Sequence, residues 1–350
     1  MRIGSFVMPS PSMSNRRVFL ERAAAAGSAL VASSGLPFAG AIAEVSRQKV
    51  NIVNTRGMAT ITVQELMKRR RHLEELGIEP SILYVIDASR LMGSLLSGES
   101  DICMFSGIGS VLTAIERGAR IKIVAGSLIK PEHAIYTKRP EIRSVKDPEG
   151  RTVGSGSTGA LLHTMWVAIL RKYGVDERKV KFANIGSTTD VFRAVAAGVV
   201  DAGIAEIDVY DQQAKFGVHV VNEGDLWKEL PEFTFQGAYA SDKAIKEKRD
   251  AIVRTLAAYA RLYRFLSSPQ SREEFVAAQL AVSARPDAGS AAWQWQFFQE
   301  QQIYAADLIL SEERVRYMQE LNISVGVQKR LVPYTDVTDM SLARDAVLLG

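Results

Sequence analysis

The chain has 350 residues, 47% of them hydrophobic, a length that suits two domains and a composition that excludes a disordered or collagen-like protein. Its 43 basic and 39 acidic residues give a net charge of +4, which would suit a nucleic-acid or anionic-membrane partner if the excess lay on the folded surface. A single cysteine, Cys103, excludes an intramolecular disulfide, a Cys-based zinc site and an iron–sulfur cluster held by this chain alone.

Residues 14–43 contain the pair Arg16-Arg17, a weakly apolar alanine-rich stretch, Pro37 and an A-x-A ending at Ala43. This order is the grammar of an export signal cleaved before Glu44. The run Asn15-Arg16-Arg17-Val18-Phe19-Leu20 resembles the twin-arginine signal, whose pathway exports folded proteins. Gly27, Ser28, Ser33, Ser34, Gly35 and Pro37 interrupt the apolar stretch and argue against a membrane anchor. No cysteine stands near Ala43 to take a lipid. Without residues 1–43 the chain keeps 39 basic against 38 acidic residues, so the expected mature protein of about 307 residues is close to neutral. The apparent basicity belongs to the signal, and the nucleic-acid reading loses its support.

Beyond the signal, short β-rich runs alternate with helical periods, as in an α/β protein with mainly parallel strands. Val50–Asn54 reads as a strand, Thr62–Leu76 as a helix stopped by Gly77, and Ile82–Ile86 as a strand. A helix over 90–96, a strand at Ile102–Phe105, a helix over 109–117 and a strand at Ile121–Ala125 complete a first series. The second series runs strand (Thr152, Val153), helix (Gly159–Tyr173), strand (Val180–Ala183), helix (Thr189–Ala197), strand (Ala202–Ala205). The two share a motif at an offset of 100 residues. In Leu95–Ile102 and again in Val195–Ala202, a helix ends at a glycine (Gly98, Gly198) and an aspartate (Asp101, Asp201) leads into a buried strand. Two extended segments, His133–Thr137 and Phe233–Ala240, bracket the second series and read as paired crossovers. The expected organisation is a signal at 1–43, a discontinuous first lobe at 44–136 and 237–350, and a second lobe at 137–236.

On these phrases the chain resembles the type II periplasmic solute-binding proteins of ABC importers. The subclass it resembles includes nitrate-, alkanesulfonate- and taurine-binding receptors and their thiamine-pyrimidine-precursor relatives. The phrases are Leu95–Ile102, Ile121–Ser127, Asp147–Gly159 and Ala196–Ala202, and the likeness covers residues 48–350. The resemblance implies the two-lobed type II periplasmic binding protein fold, each lobe a mainly parallel sheet flanked by helices, with two crossover hinges. Receptors of the subclass often have a W-D-P phrase where this chain has Glu206-Ile207-Asp208, a departure that speaks against a taurine-like or simple sulfonate ligand.

In open α/β sheets a ligand binds beyond the carboxyl ends of the strands, where helix N-termini present free N–H groups. That rule selects Arg56, Gly57, Met58 and Ser89, then Ser106 and Gly107, in the first lobe. In the second it selects Ser155, Ser157, Thr158 and Gly159, then Ser187, Thr188 and Glu206. The glycine- and hydroxyl-rich loop over 154–159 favours an anion; the alternative is ordinary helix capping. Arg56 would add a charge-assisted contact or be a solvated loop residue. Glu206 would accept from an amine, amide or hydroxyl, or serve as a helix N-terminal charge. Tyr239 and His133 would line the pocket from the hinge or pack in the core. His72, His163 and His219 have no metal-ligand spacing, Cys103 reads as core, and Trp293, Trp295, Phe297 and Phe298 read as packing against the first lobe.

The expectation is a monomeric, non-enzymatic periplasmic receptor without cofactor or metal. It would capture a small, anionic solute by hinge closure and deliver it to an ABC permease and its ATPase. Two alternatives remain: an exported enzyme, for which no nucleophile–base pair or dinucleotide fingerprint is evident, and a ligand-sensing subunit of a membrane sensor.

Overall fold

The aliphatic run Gln48–Thr55 (β1) buries Val50, Ile52 and Val53 and pairs in parallel with Ile78–Val85 (β2) on one side and Ile102–Gly107 (β3) on the other. In the computed structural model, which describes residues 47–85 and 88–350, Ile121–Gly126 (β4) joins the same sheet through a single antiparallel strand, Gln236–Ser241 (β10). The order is β2-β1-β3-β10-β4. The second sheet is built from His133–Thr137 (β5), Thr152–Ser155 (β6), Lys181–Asn184 (β7), Ala202–Glu206 (β8) and His219–Asp225 (β9), in the order β7-β6-β8-β5-β9. The two orders are the same topology. In each, the antiparallel strand is the one the chain lays down immediately after crossing from the other sheet.

The repeat at an offset of 100 residues is structural. Gly98 and Gly198 both take positive φ (83° and 74°) and end their helices. Asp101 and Asp201 then make matching bonds to the neighbouring strand. The Asp101 carboxylate accepts from the Asn51 N–H (2.9 Å) and the Asp201 carboxylate from the Thr152 N–H (2.9 Å). A cation secures each one: Lys248 on Asp101 at 2.9 Å and Arg139 on Asp201 at 3.2 Å.

Three expectations are corrected. His133–Thr137 is not a crossover at the end of the first lobe. All five residues are buried and pair along β8, so the chain crosses upstream, over 127–132. The helix expected over Thr62–Leu76 is two, Met58–Arg70 and His72–Glu75, broken where Arg71 takes φ 55°. The aromatic residues of the helix Ala288–Gln301 do not pack on the first lobe alone. Trp293 stacks on Tyr210 of the second lobe (5.2 Å, 13°) and Phe297 meets Trp227 (4.8 Å), while Phe298 meets Phe275 and Tyr304. A helix with aromatic side chains on several faces can bridge two bodies in this way. The export signal and Asp87 lie outside the described residues.

The crossovers run side by side. The Ser127 N–H donates to the Gln236 carbonyl (3.2 Å) and the Gln236 N–H to the Leu128 carbonyl (2.9 Å), so one short ladder joins the lobes. Residues 303–305 add a third strand of contact, with the Ile129 N–H on the Ile303 carbonyl and the Ala305 N–H on the Ser127 carbonyl, both at 2.9 Å.

Candidate functional site

The carboxyl ends of both sheets face a cavity of about 430 Å³, the size of a small-molecule site. From the first lobe Arg56, Gly57, Ser106 and Gly107 line it; from the second, Gly159, Ser187, Thr188 and Glu206. Glu132, His133, Thr234 and Gln236 line it at the hinge.

The remaining sequence-selected positions stand apart from this cavity. Met58 borders a separate groove near Phe192 and Gln279. Ser89 is exposed on the helix Ala88–Ser97, and Ser157 and Thr158 are exposed. Ser157 receives a hydrogen bond from the Asn184 amide (3.3 Å) rather than capping the next helix. That helix, Leu161–Lys172, begins after Ala160, which offers no side-chain cap. Ser155 is fully buried, with an unpartnered hydroxyl. Tyr239 is fully buried opposite Cys103 in the β3–β10 ladder, part of the first-lobe core. Burial pushes both its hydroxyl and the Cys103 thiol up.

Local chemistry explains the residues that do reach the cavity. Gly159 has φ 77°, and an added Cβ would collide with Val327 of the C-terminal segment. Only glycine lets the second lobe approach there. Ser187 caps the helix Thr188–Ala196 by accepting from the Asp190 N–H, and its hydroxyl reaches the Asp190 carboxylate at 2.6 Å. Thr188 donates to Glu206 at 3.0 Å, fixing one of its carboxylate oxygens. In the first lobe Thr55 donates to the Phe105 carbonyl (3.0 Å), and the Asn322 amide holds the Gly109 carbonyl (2.8 Å). The start of the helix Ile108–Glu116, which follows β3 directly, is thus anchored from the helix Glu312–Ser324.

The hinge end of the cavity is acidic. Glu132 is 4% exposed, and its carboxylate makes no hydrogen bond or ion pair with any described residue. Burial, then the charges of Glu206 and Asp208, hold its carboxyl well above the usual range. Glu206 is raised by burial and by Asp208, against the opposing hydrogen bond from Thr188; Asp208 is raised chiefly by burial. His133, opposite Glu206 in the β5–β8 pairing, is fully buried, and burial lowers it to about 3, so its ring is neutral. Both its ring nitrogens lack a partner, as do the Thr234 hydroxyl and the Gln236 side-chain oxygen. Among the described residues lining the cavity, Arg56 is the sole lysine or arginine, and it is exposed.

Glu132, Thr234 and Gln236 escape the strand-end rule because they stand on the crossovers rather than at the carboxyl end of a strand. The available signal was Glu132 itself, a carboxylate directly before the apolar strand His133–Thr137 where a solvated charge has no reason to be.

The profile of the family described as NMT1/THI5 like matches residues 72–271. No curated protein matches the chain. Among solved structures, the periplasmic aliphatic sulphonate binding protein SsuA from Escherichia coli is similar with a TM-score of 0.69 at 18% identity, over 84% of this chain and 92% of that one. The periplasmic nitrate-binding protein NrtA from Synechocystis PCC 6803 follows with a TM-score of 0.65 at 12% identity, over 87% and 89%. A DszB mutant in complex with biphenyl-2-sulfinic acid has a TM-score of 0.63 at 12% identity, over 86% and 99%. These likenesses, with the repeated sheet topology, establish the two-lobed periplasmic binding protein fold, and the chain belongs to the NMT1/THI5-like family.

Proposed function

We propose that this protein is the extracytoplasmic solute-binding receptor of an ABC-type importer, exported by the signal at residues 1–43 and working with a membrane permease and an ATPase. The observation that carries this reading is the 430 Å³ cavity between two sheets of the same topology, roofed by helix N-termini and floored by paired crossovers. Such a cavity closes when a ligand binds the closed form more tightly than the open one, with the crossovers absorbing the rotation. The fold neighbours SsuA and NrtA, by their names sulfonate- and nitrate-binding proteins, support it. In this reading the contacts to solute come from Arg56, Ser106, Gly107 and Gly159 on the lips and from Thr188 and Glu206 on the second-lobe wall.

The likeness to DszB is the reason an enzyme reading stands beside the receptor one. Calorimetric titration of the mature protein with a broad solute panel, alongside product analysis by mass spectrometry, separates the two. A receptor gives saturable binding with every bound solute recovered intact; turnover of any of them would sink the receptor reading. For the export route, replacing Arg16 and Arg17 together by lysine should leave the protein in the cytoplasm, and undiminished periplasmic recovery would exclude the twin-arginine pathway.

A further inference from the structure

Glu132 is a carboxylate buried at the hinge with no partner among the described residues. Its own backbone ties it to the second lobe wall, where the Ile207 N–H donates to the Glu132 carbonyl at 3.1 Å, directly beside Glu206. Thr188 satisfies one oxygen of Glu206, and the other side of the carboxylate belongs to the cavity wall. Around the two carboxylates the buried unpartnered atoms on cavity-lining residues are the Gln236 oxygen, the Thr234 hydroxyl and the His133 ring nitrogens; the Tyr304 hydroxyl, also buried and unpartnered and within electrostatic reach of Glu132, is not part of the lining. Gln236 and the carboxylates offer acceptors here. Buried polar atoms in a native protein find partners, and an unpaired buried carboxylate is the costliest kind to leave alone. Among the described residues lining the cavity the sole lysine or arginine is Arg56, at the exposed lip. The two cations at the crossover donate to backbone carbonyls, Lys130 to Gln301 (2.6 Å) and Arg314 to Ile129 (2.7 Å).

We infer that Glu132 and Glu206 together form a subsite for a nitrogen cation, a protonated amine or amidinium on the transported solute, with Gln236 completing the set of acceptors. The inference rests on the receptor reading above and specifies its solute class. A cation placed between the two carboxylates turns their mutual repulsion into two charge-assisted hydrogen bonds. Glu132 stands on one crossover and Gln236 on the other, so a solute held by both would bridge the hinge as well as the second lobe. A simple sulfonate or nitrate brings no positive charge to offset ionisation of the two acids and leaves their raised carboxyls without a cationic partner.

The test uses the mature full-length protein and two sets of probes: agmatine, benzamidine and butylamine against butanesulfonate, benzenesulfonate and nitrate. Binding is measured by calorimetry to wild type, Glu132→Gln and Glu206→Gln, with circular dichroism confirming that each variant is folded. The expected result is binding confined to the cationic set, weakened about 10- to 100-fold in either variant. Anions binding best, and tighter in the Gln variants, would overturn the cation subsite while leaving a receptor intact. Cations binding equally to wild type and both variants would overturn it as well. If neither set binds, native mass spectrometry of protein from its own host decides: a retained cationic solute lost from Glu132→Gln supports the subsite, and a retained anion or neutral solute refutes it. Failure to retain any solute would refute both the subsite and the receptor reading.

Discussion

The two lobes share a topology and differ in what fills it. In the first sheet Val53 faces Cys103 across β1 and β3; at the corresponding pair in the second sheet Gly154 faces Gly203. The missing side chains let the helix Thr188–Ala196 settle directly on the strands. A Cβ on Gly203 would lie 2.5 Å from Val191 and 2.8 Å from Val195, and one on Gly154 would lie 2.9 Å from Val191. The same helix carries Thr188 at its start, and its approach brings Thr188 onto Glu206. At the strand ends the contrast is chemical, with Ser106 closing β3 toward the cavity and Glu206 at the same offset closing β8. Topology repeats because hydrophobic layering and crossover handedness admit few solutions. Chemistry diverges because the strand ends face a cavity rather than a core.

The sharpest way to break the comparison is to swap the interior pair. Gly203→Cys, which gives the second lobe the first lobe's residue, should cost about 3 kcal/mol by overpacking against Val191 and Val195. Chemical denaturation reads this directly, and a neutral result would mean the helix is free to move outward. Next come the two strand latches. Asp101→Ala should destabilise by about 2 kcal/mol and Asp201→Ala by about 1 kcal/mol, because Asp101 is more buried and its lysine partner lies less exposed than Arg139. Equal losses would show that burial does not set the difference.

The strand-end acids give a pH signature confined to the second lobe. Because Glu132 and Glu206 hold their protons more tightly when folded, the native state binds more protons than the unfolded one between the ordinary carboxylate range and the raised values. Unliganded stability therefore falls as pH rises through that window, and the penalty is complete above it. Glu132→Gln should remove its part of the fall and raise the unfolding temperature at neutral pH by several degrees. Ser106→Ala, at the matching first-lobe position, should leave the pH profile unchanged. A Gln variant no more stable than wild type at neutral pH would mean that Glu132 is not strained in the unliganded protein. The smallest expected effect is at the bridge: Trp293→Leu should cost about 1 kcal/mol through the lost stacking on Tyr210. It should also alter solute affinity if that stacking favours one arrangement of the lobes, which calorimetry on the variant checks.

Much of the repeated fold was legible from local signals. The glycine-stopped helices and the aspartates at 101 and 201 are short-range features whose chemistry is complete within a few residues. The cavity was half legible. Arg56, Ser106, Gly107, Gly159, Ser187, Thr188 and Glu206 reach it because strand ends and helix starts are local geometry. Ser155 and Tyr239 are buried apart from the cavity; strand direction alone does not say which face of the backbone is already occupied by core. Strand β9 was missed because Asn222, Glu223 and Gly224 break its apolar run, and its pairing with β5 is a contact between distant segments.

By itself the sequence determined the export signal grammar, the charge neutrality of the remaining chain, the alternating α/β pattern and the repeat. Each depends on residue order within a turn, a strand or a short window. Only the tertiary structure decided that the aromatic helix 288–301 spans both lobes, that β5 and β10 exchange places between the sheets, and that Glu132 joins Glu206 at the hinge. Those two carboxylates lie 74 residues apart in the chain, and no local propensity carries information across that distance. Their meeting, and the electrostatic cost it imposes, comes from how the second sheet pairs β5 with β8.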